Sequence, residues 1–111
     1  MAMTVKREEV EGSMILEVEG SVDIYSSPQL RGELKAGLDR KAERIVVDLV
    51  GVTFVDSSGL ATLIEALQKV QSYSGKLYLC NLSTNVLGVF QLANLDHIFQ
   101  IKENRDAALQ G

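Results

Sequence analysis

Apolar and polar residues follow two rhythms along this chain, and the changes of rhythm mark out its elements. Met3 to Val10, then Glu11-Gly12-Ser13, then "MILEVEG" reads as two β-prone runs interrupted by Gly and Ser, which predicts an N-terminal hairpin. In its second strand Ile15, Leu16, Val18 and Val22 supply the apolar positions, and Gly20 punctuates the run before Asp23, which the strand delivers to its tip. "SSPQLRGELKAGL" follows with a helical period. Ser27 suits the N-cap, Pro28 suits the first helical position because its missing N–H would be unpaired there anyway, and Leu30, Leu34 and Leu38 share a face. Asp39 to Arg44 is charged and loop-like, and "RIVVDLVGVTFVD" is then so rich in β-branched residues that it predicts a buried central strand, bent at Gly51.

From Ser58 the period is helical again, with Leu60, Leu63, Ile64, Leu67 and Val70 on one face and Glu65 four residues before Lys69 on the other. Ser74-Gly75 ends this helix. "KLYLCNL" predicts a short strand and "STNVLGVFQLANL" a short helix capped by Ser83 or Thr84, with Val86, Val89, Phe90 and Leu92 facing inward. Ile98 to Ile101 predicts a last small strand, and "ENRDAALQG" a helix capped by Asn104 with Ala107, Ala108 and Leu109 facing the domain. Strands alternating with helices imply an α/β fold: a mixed β-sheet with parallel central strands, an N-terminal antiparallel hairpin, and helices packed on the sheet.

Composition narrows this to one domain over residues 1–111, because 46% apolar residues supply a core and no Pro/Gly/Ser-rich tract or internal repeat divides the chain. The net charge of −4, with basic residues scattered, argues against direct nucleic-acid binding. Cys80 is the only cysteine and His97 the only histidine, so one chain builds neither a disulfide framework nor a Cys/His zinc site, and no metal or cofactor is expected. The opening residues lack the apolar core of a signal peptide, and no run approaches the ~18 apolar residues of a membrane span. A cytoplasmic protein is expected.

No sequence for a familiar catalytic class is present: there is no GxxxxGK[ST] phosphate loop, GxGxxG, GxSxG or HExxH. His97 reads as a surface or structural residue rather than as a base for a serine nucleophile, and Cys80 as an inert core residue. Asp48, inside "VVDLV", reads as a polar position near a strand end or sheet edge in preference to a phosphoacceptor. Asp56-Ser57-Ser58-Gly59 stands apart. Capping explains one polar residue before a helix, but not three in succession at the end of a buried strand, nor a glycine in the first turn, where it costs up to ~1 kcal/mol against alanine. Gly59 therefore suggests close approach by a partner. A serine at the carboxyl end of a parallel strand is accessible to another protein's active site, and phosphorylation there adds about −1.5 to −2 charges beside Asp56 and, on a neighbouring strand, Asp23. The residues thus point to a switchable docking edge; a nucleotide- or anion-binding module built on the same amides is the alternative, disfavoured by the missing phosphate-loop lysine.

At these residues the chain resembles the anti-sigma-factor antagonist family, the bacterial STAS domains, over nearly its whole length. "GSVDIYSSPQLRGEL" is similar to the family's Gly-x-hydrophobic-Asp segment, "RIVVDLVGVTFVDSSGLATLIEAL" to its central strand and Asp-Ser-Ser/Thr-Gly-Leu signature, and "SGKLYLCNLSTNVLGVFQLANLDHIFQI" to its second half. Ser21 stands where many members carry an acid, and Ala61 where many have a second glycine. The resemblance implies a non-enzymatic protein: Ser57 is the residue a serine kinase, itself the anti-sigma factor, phosphorylates, and Asp23, Asp56, Ser58 and Gly59 lie in or beside the contact surface. The unphosphorylated form binds the anti-sigma factor and releases the sigma factor; phosphorylation breaks that complex and a phosphoserine phosphatase restores it. The same fold also serves as a scaffold of stress-sensing complexes, a small partner in lipid-transport systems and an appendage of anion transporters, the last disfavoured here because no membrane span is present.

Overall fold

The opening pattern folds as a hairpin of β1 (Thr4–Val10) and β2 (Ser13–Val22), paired antiparallel from Thr4 opposite Glu19 to Val10 opposite Ser13. Only Glu11 and Gly12 connect the strands, and Gly12 takes φ +69°, which glycine adopts without the steric cost another residue would meet. The computed structural model describes residues 2–111, so Met1, the first residue of the predicted domain, lies outside the described residues. After the hairpin the chain alternates α1 (Ser27–Asp39), β3 (Arg44–Val55), α2 (Ser57–Ser72), β4 (Lys76–Cys80), α3 (Thr84–Leu92), β5 (Gln100–Lys102) and α4 (Arg105–Gln110). The strands lie in the order β1-β2-β3-β4-β5, with β2 to β5 mutually parallel. This is the mixed sheet that the alternation implies.

Period-two alternation sends neighbouring residues of each strand to opposite faces. Met14, Leu16 and Val18 of β2 and Ile45, Val47 and Leu49 of β3 enter the main core beneath α1, α2 and α3. Ile15, Val46, Tyr78 and Cys80 face the other way, where the six-residue α4 brings Ala108 onto them. The sheet is therefore covered unequally, by three helices on one face and one short helix on the other. The expected bend at Gly51 is a β-bulge: β2 advances from Glu17 to Glu19 while β3 advances from Asp48 to Gly51.

Four expectations are corrected. Ser27 does not cap α1; it is the helix's first residue and buried, the flanking position belongs to Ser26 without a side-chain cap bond, and Asp23 organises the approach instead. Leu92 is 89% exposed, because it sits about 200° around α3 from Phe90, whose ring packs edge-on against Phe99 in the core. The last strand starts at Gln100, since the amides of Ile98 and Phe99 turn back to the carbonyl of Leu95. Asp48 lies at neither a strand end nor a sheet edge: it is 3% exposed in the middle of β3, the central strand.

A buried carboxylate needs partners, and Asp48 has four donors. One oxygen accepts from Nε and Nη2 of Arg105 at 3.2 and 3.0 Å, the other from the Asn81 side chain at 2.9 Å and the Val50 amide at 3.1 Å. Arg105 also reaches Glu17 at 2.8 Å. At the far end of α4 Arg44 donates to the Leu109 carbonyl at 2.6 Å. The helix is thus fastened to the sheet at both ends.

Candidate functional site

At the carboxyl end of the parallel strands, β2 and β3 finish side by side. Val22 stands opposite Val55, and the Asp56 amide donates to the Val22 carbonyl at 3.1 Å. The turn from β3 into α2 is therefore tied to the turn from β2 into α1, and the two make one edge.

On the β3 side, Asp56 is the N-cap. Its backbone is extended, at φ −106° and ψ −173°, and its Oδ1 accepts from the amides of Ser58 at 2.9 Å and Gly59 at 3.2 Å. Capping by Asp56 leaves both serine side chains unneeded for that purpose, and α2 starts at Ser57, one residue before the sequence expectation. Ser57 is exposed, and among the described residues its hydroxyl has no hydrogen-bond partner. Ser58 is half-buried and contributes through its backbone, its carbonyl accepting from the Thr62 hydroxyl at 2.9 Å. Gly59 is buried. A Cβ on it would lie 2.8 Å from Val22 Cγ1, 2.9 Å from the Val22 carbonyl oxygen and 3.0 Å from Val55 Cγ1. What comes close to Gly59 is the chain's own strand pair, and this packing accounts for its size without calling on a partner.

On the β2 side, Asp23 turns its carboxylate into its own loop. Oδ1 accepts from the amides of Tyr25 at 2.9 Å and Ser26 at 3.0 Å, while the Asp23 amide donates to Ser26 Oγ at 2.9 Å and that hydroxyl donates to the Ser21 carbonyl at 2.7 Å. The hydrogen bond from the Ser26 amide, more than any other contact, holds the Asp23 carboxyl below its ordinary range; partial burial opposes it, and the Tyr25 amide adds to it. Asp23 and Asp56 thus do the same job on neighbouring turns, each fixing local backbone. The sequence brought these two aspartates and Ser57 to notice, but not the apolar side chains around them. Ile24, Tyr25 and Phe54 are 64%, 91% and 51% exposed on this same edge. The signal for Ile24 and Tyr25 was "DIYS", a large apolar pair in a turn where polar residues are the rule; Phe54, inside an apolar strand run, carried none.

Among the described residues no group of three or more His, Cys, Asp and Glu is arranged to hold a metal ion, and no helix is long and apolar enough to cross a membrane. His97 is exposed beside Asp96 at 3.6 Å, and Cys80 is buried under α4 with its thiol pushed up to about 12 by burial and by the Asp48 carboxylate, against the opposing pull of Arg105. Neither residue lies at the Ser57 edge.

Comparison with known proteins supports this layout. A Bordetella bronchiseptica protein provisionally named anti-sigma factor antagonist BtrV is 29% identical over 106 residues, covering 96% of this chain and 91% of its own. The anti-sigma-B factor antagonist of Bacillus subtilis is 27% identical over 110 residues, covering 99% and 100%. The crystal structure of an anti-sigma factor antagonist from Mycobacterium paratuberculosis superposes with a TM-score of 0.89 at 25% identity, over 98% of this chain and 92% of that one. The STAS domain matches residues 3–108, which takes in every strand of the sheet and both turns of the Ser57 edge, and the chain belongs to the STAS domain family.

Proposed function

We propose that this protein is an anti-sigma-factor antagonist whose Ser57 is its switch. In the unphosphorylated state it binds an anti-sigma factor that is also a serine kinase, so that the sigma factor is released; phosphorylation of Ser57 abolishes that binding, and a phosphoserine phosphatase restores it. In this role the chain is a binder and a substrate, acting in the cytoplasm, and no step requires it to catalyse a reaction.

The observation that carries the reading is the division of labour at the start of α2. Asp56 does the capping, so the Ser57 hydroxyl is exposed and unpartnered among the described residues, on backbone that the cap holds in place. A phosphoryl group on it would add about −1.5 to −2 charges at a helix N-terminus, where the helix dipole tolerates them and the fold survives. The same charge beside Asp56 reverses the conditions for a closely packed partner, because bringing it into an interface requires desolvating it without a counter-charge.

With the cognate kinase and ATP, intact-mass spectrometry should show one phosphate, mapped to Ser57 and absent from Ser57→Ala. Ser57→Asp should weaken binding to the same kinase at least tenfold, equivalent to about 1.4 kcal/mol, with unchanged far-ultraviolet dichroism and melting temperature. Phosphate elsewhere would overturn the site. Equal binding by Ser57→Ala, Ser57→Asp and wild type would instead favour an adaptor or scaffold subunit of a stress-sensing or lipid-transport complex.

A further inference from the structure

We propose that Ile24 and Tyr25 are the apolar anchors by which the kinase partner grips this edge, and that Asp23 is a positioning residue that presents them. The inference rests on the Ser57 reading above and adds to it which side chains hold the partner. Large apolar side chains exposed next to one another on a soluble domain mark interaction surfaces. Among the described residues seven large apolar side chains are exposed, and Ile24, Tyr25 and Phe54 all belong to the end of the sheet that carries Ser57. Phe54 pairs with Ser21 on β2, two residues before Asp23, so it stands on the strand end next to the Asp23–Tyr25 turn.

The occupant follows from continuity. The Asp56 amide is bonded to the Val22 carbonyl at 3.1 Å, which places Ser57 and the Asp23–Tyr25 turn on adjoining chain segments. A partner that docks around the Ser57 hydroxyl meets the neighbouring turn first, because the two turns are joined through Asp56 and Val22. The surface it meets there is apolar and aromatic, and the matching partner surface is an apolar pocket rather than a basic one.

The loop is also held ready. The amides of Tyr25 and Ser26 donate to the Asp23 carboxylate, those of Ser26 and Ser27 to the Asp23 carbonyl at 3.2 and 2.8 Å, and Ser26 Oγ ties the turn back to Ser21. A turn whose backbone is already fixed loses little further backbone freedom on binding, and tyrosine is among the residues that dominate interface energetics. The Asp23 carboxylate is already engaged by its own turn, so its contribution to binding runs through the geometry of Ile24 and Tyr25.

The test is a mutant cycle with the cognate kinase, read by calorimetric Kd and by KM and kcat for Ser57 phosphorylation. Ile24→Ala/Tyr25→Ala should raise Kd and KM at least tenfold with kcat and melting temperature near wild type. Asp23→Ala should also weaken binding, but add less than twofold in the Ile24→Ala/Tyr25→Ala background. Asp23→Asn, whose carbonyl oxygen accepts the same amides, should stay within threefold of wild type. Binding by the double variant within twofold of wild type, with Ser57 still phosphorylated, would overturn the anchors while leaving the switch standing. Loss in Asp23→Asn as large as in Asp23→Ala would overturn the positioning role. A wild-type protein that neither binds the kinase nor accepts phosphate would overturn the underlying reading and this inference with it.

Discussion

Gly59 shows how a residue's meaning depends on what packs against it. Its first-turn position costs helix propensity and invites the idea of an incoming partner, yet the missing side chain makes room for Val22 and Val55. Gly59→Ala sets two effects against each other. Alanine gains up to ~1 kcal/mol of helix propensity, while a Cβ 2.9 Å from the Val22 carbonyl oxygen must push α2 away from strand backbone, and such overpacking costs typically about 1–3 kcal/mol. Because the Val22 carbonyl also accepts the Asp56 amide, it cannot give way freely, and steric cost wins. Urea denaturation of Gly59→Ala should show a net loss of about 1–2 kcal/mol, with a shift in midpoint and no change in slope; a stabilised variant would mean that α2 moves away from Val22 at little cost and that packing does not set the size of residue 59. Asp23 and Asp56 teach the complementary point. Both were legible as residues of the edge, but that each spends its Oδ1 on backbone amides of its own turn is a matter of orientation, which residue spacing does not encode.

Among the elements, α4 depends most on its anchors. Six residues are too few for an isolated helix to persist in water, so it exists here because the sheet holds it. Arg105 ties its first turn to Asp48 and Glu17, Arg44 binds the Leu109 carbonyl at its end, and Ala108 lies on Ile15, Val46, Tyr78 and Cys80 between them. The Arg105 side chain is 28% exposed and that of Asp48 only 4%, so removing the arginine strands a buried carboxylate. Losing one partner of a buried pair costs about 3–5 kcal/mol. Arg105→Ala belongs at the lower end, ~3 kcal/mol, because Asn81 and the Val50 amide still serve the other oxygen. Denaturant unfolding checks the size, and hydrogen exchange should show the amides of α4 losing protection while those of α2 keep theirs under native conditions. A loss below about 1 kcal/mol, the range of a surface ion pair, would mean that water takes over the role of Arg105. The existence of α4 was legible from Asn104 and the alanines after it, and Asn104 does accept from the Ala107 amide at 2.9 Å. Its attachment was not, because Asp48 and Arg105 are 57 residues apart.

For the whole molecule, the unequal covering of the sheet separates two kinds of chemistry. The Ser57 edge leaves a serine hydroxyl exposed at the start of α2, as the proposed switch requires, whereas the α4 face encloses Cys80 beside the charge cluster of Asp48 and Arg105. The Cys80 thiol, raised to about 12 in the fold from an ordinary 9.0, gives this enclosure a pH signature. Between those values the folded protein keeps a proton that the unfolded chain releases, so the contribution of Cys80 is fully present below pH 9.0 and is lost as pH rises toward 12. Unfolding of wild type and Cys80→Ala, followed from pH 8 to 11, should show a steeper alkaline decline in wild type, whatever their difference at neutral pH. Parallel declines would mean that the thiol meets water through an open α4.

What the sequence determined by itself was local or periodic: the hairpin, the alternation of strands and helices, the α/β class, and a polar step of Asp56, Ser57, Ser58 and Gly59 before a helix. These are encoded in neighbours along the chain, through side-chain period, cap chemistry and turn residues. Tertiary structure alone decided that Asp48 is buried with Arg105 upon it, that Leu92 and Ile98 face outward, that Gly59 packs against Val22 and Val55, and that Ile24 and Tyr25 are exposed on the turn tied to the Ser57 turn. Each of these depends on which segments the sheet brings together. Burial and charge pairing are properties of such meetings, and a linear pattern carries no distance between residues that meet only in the fold.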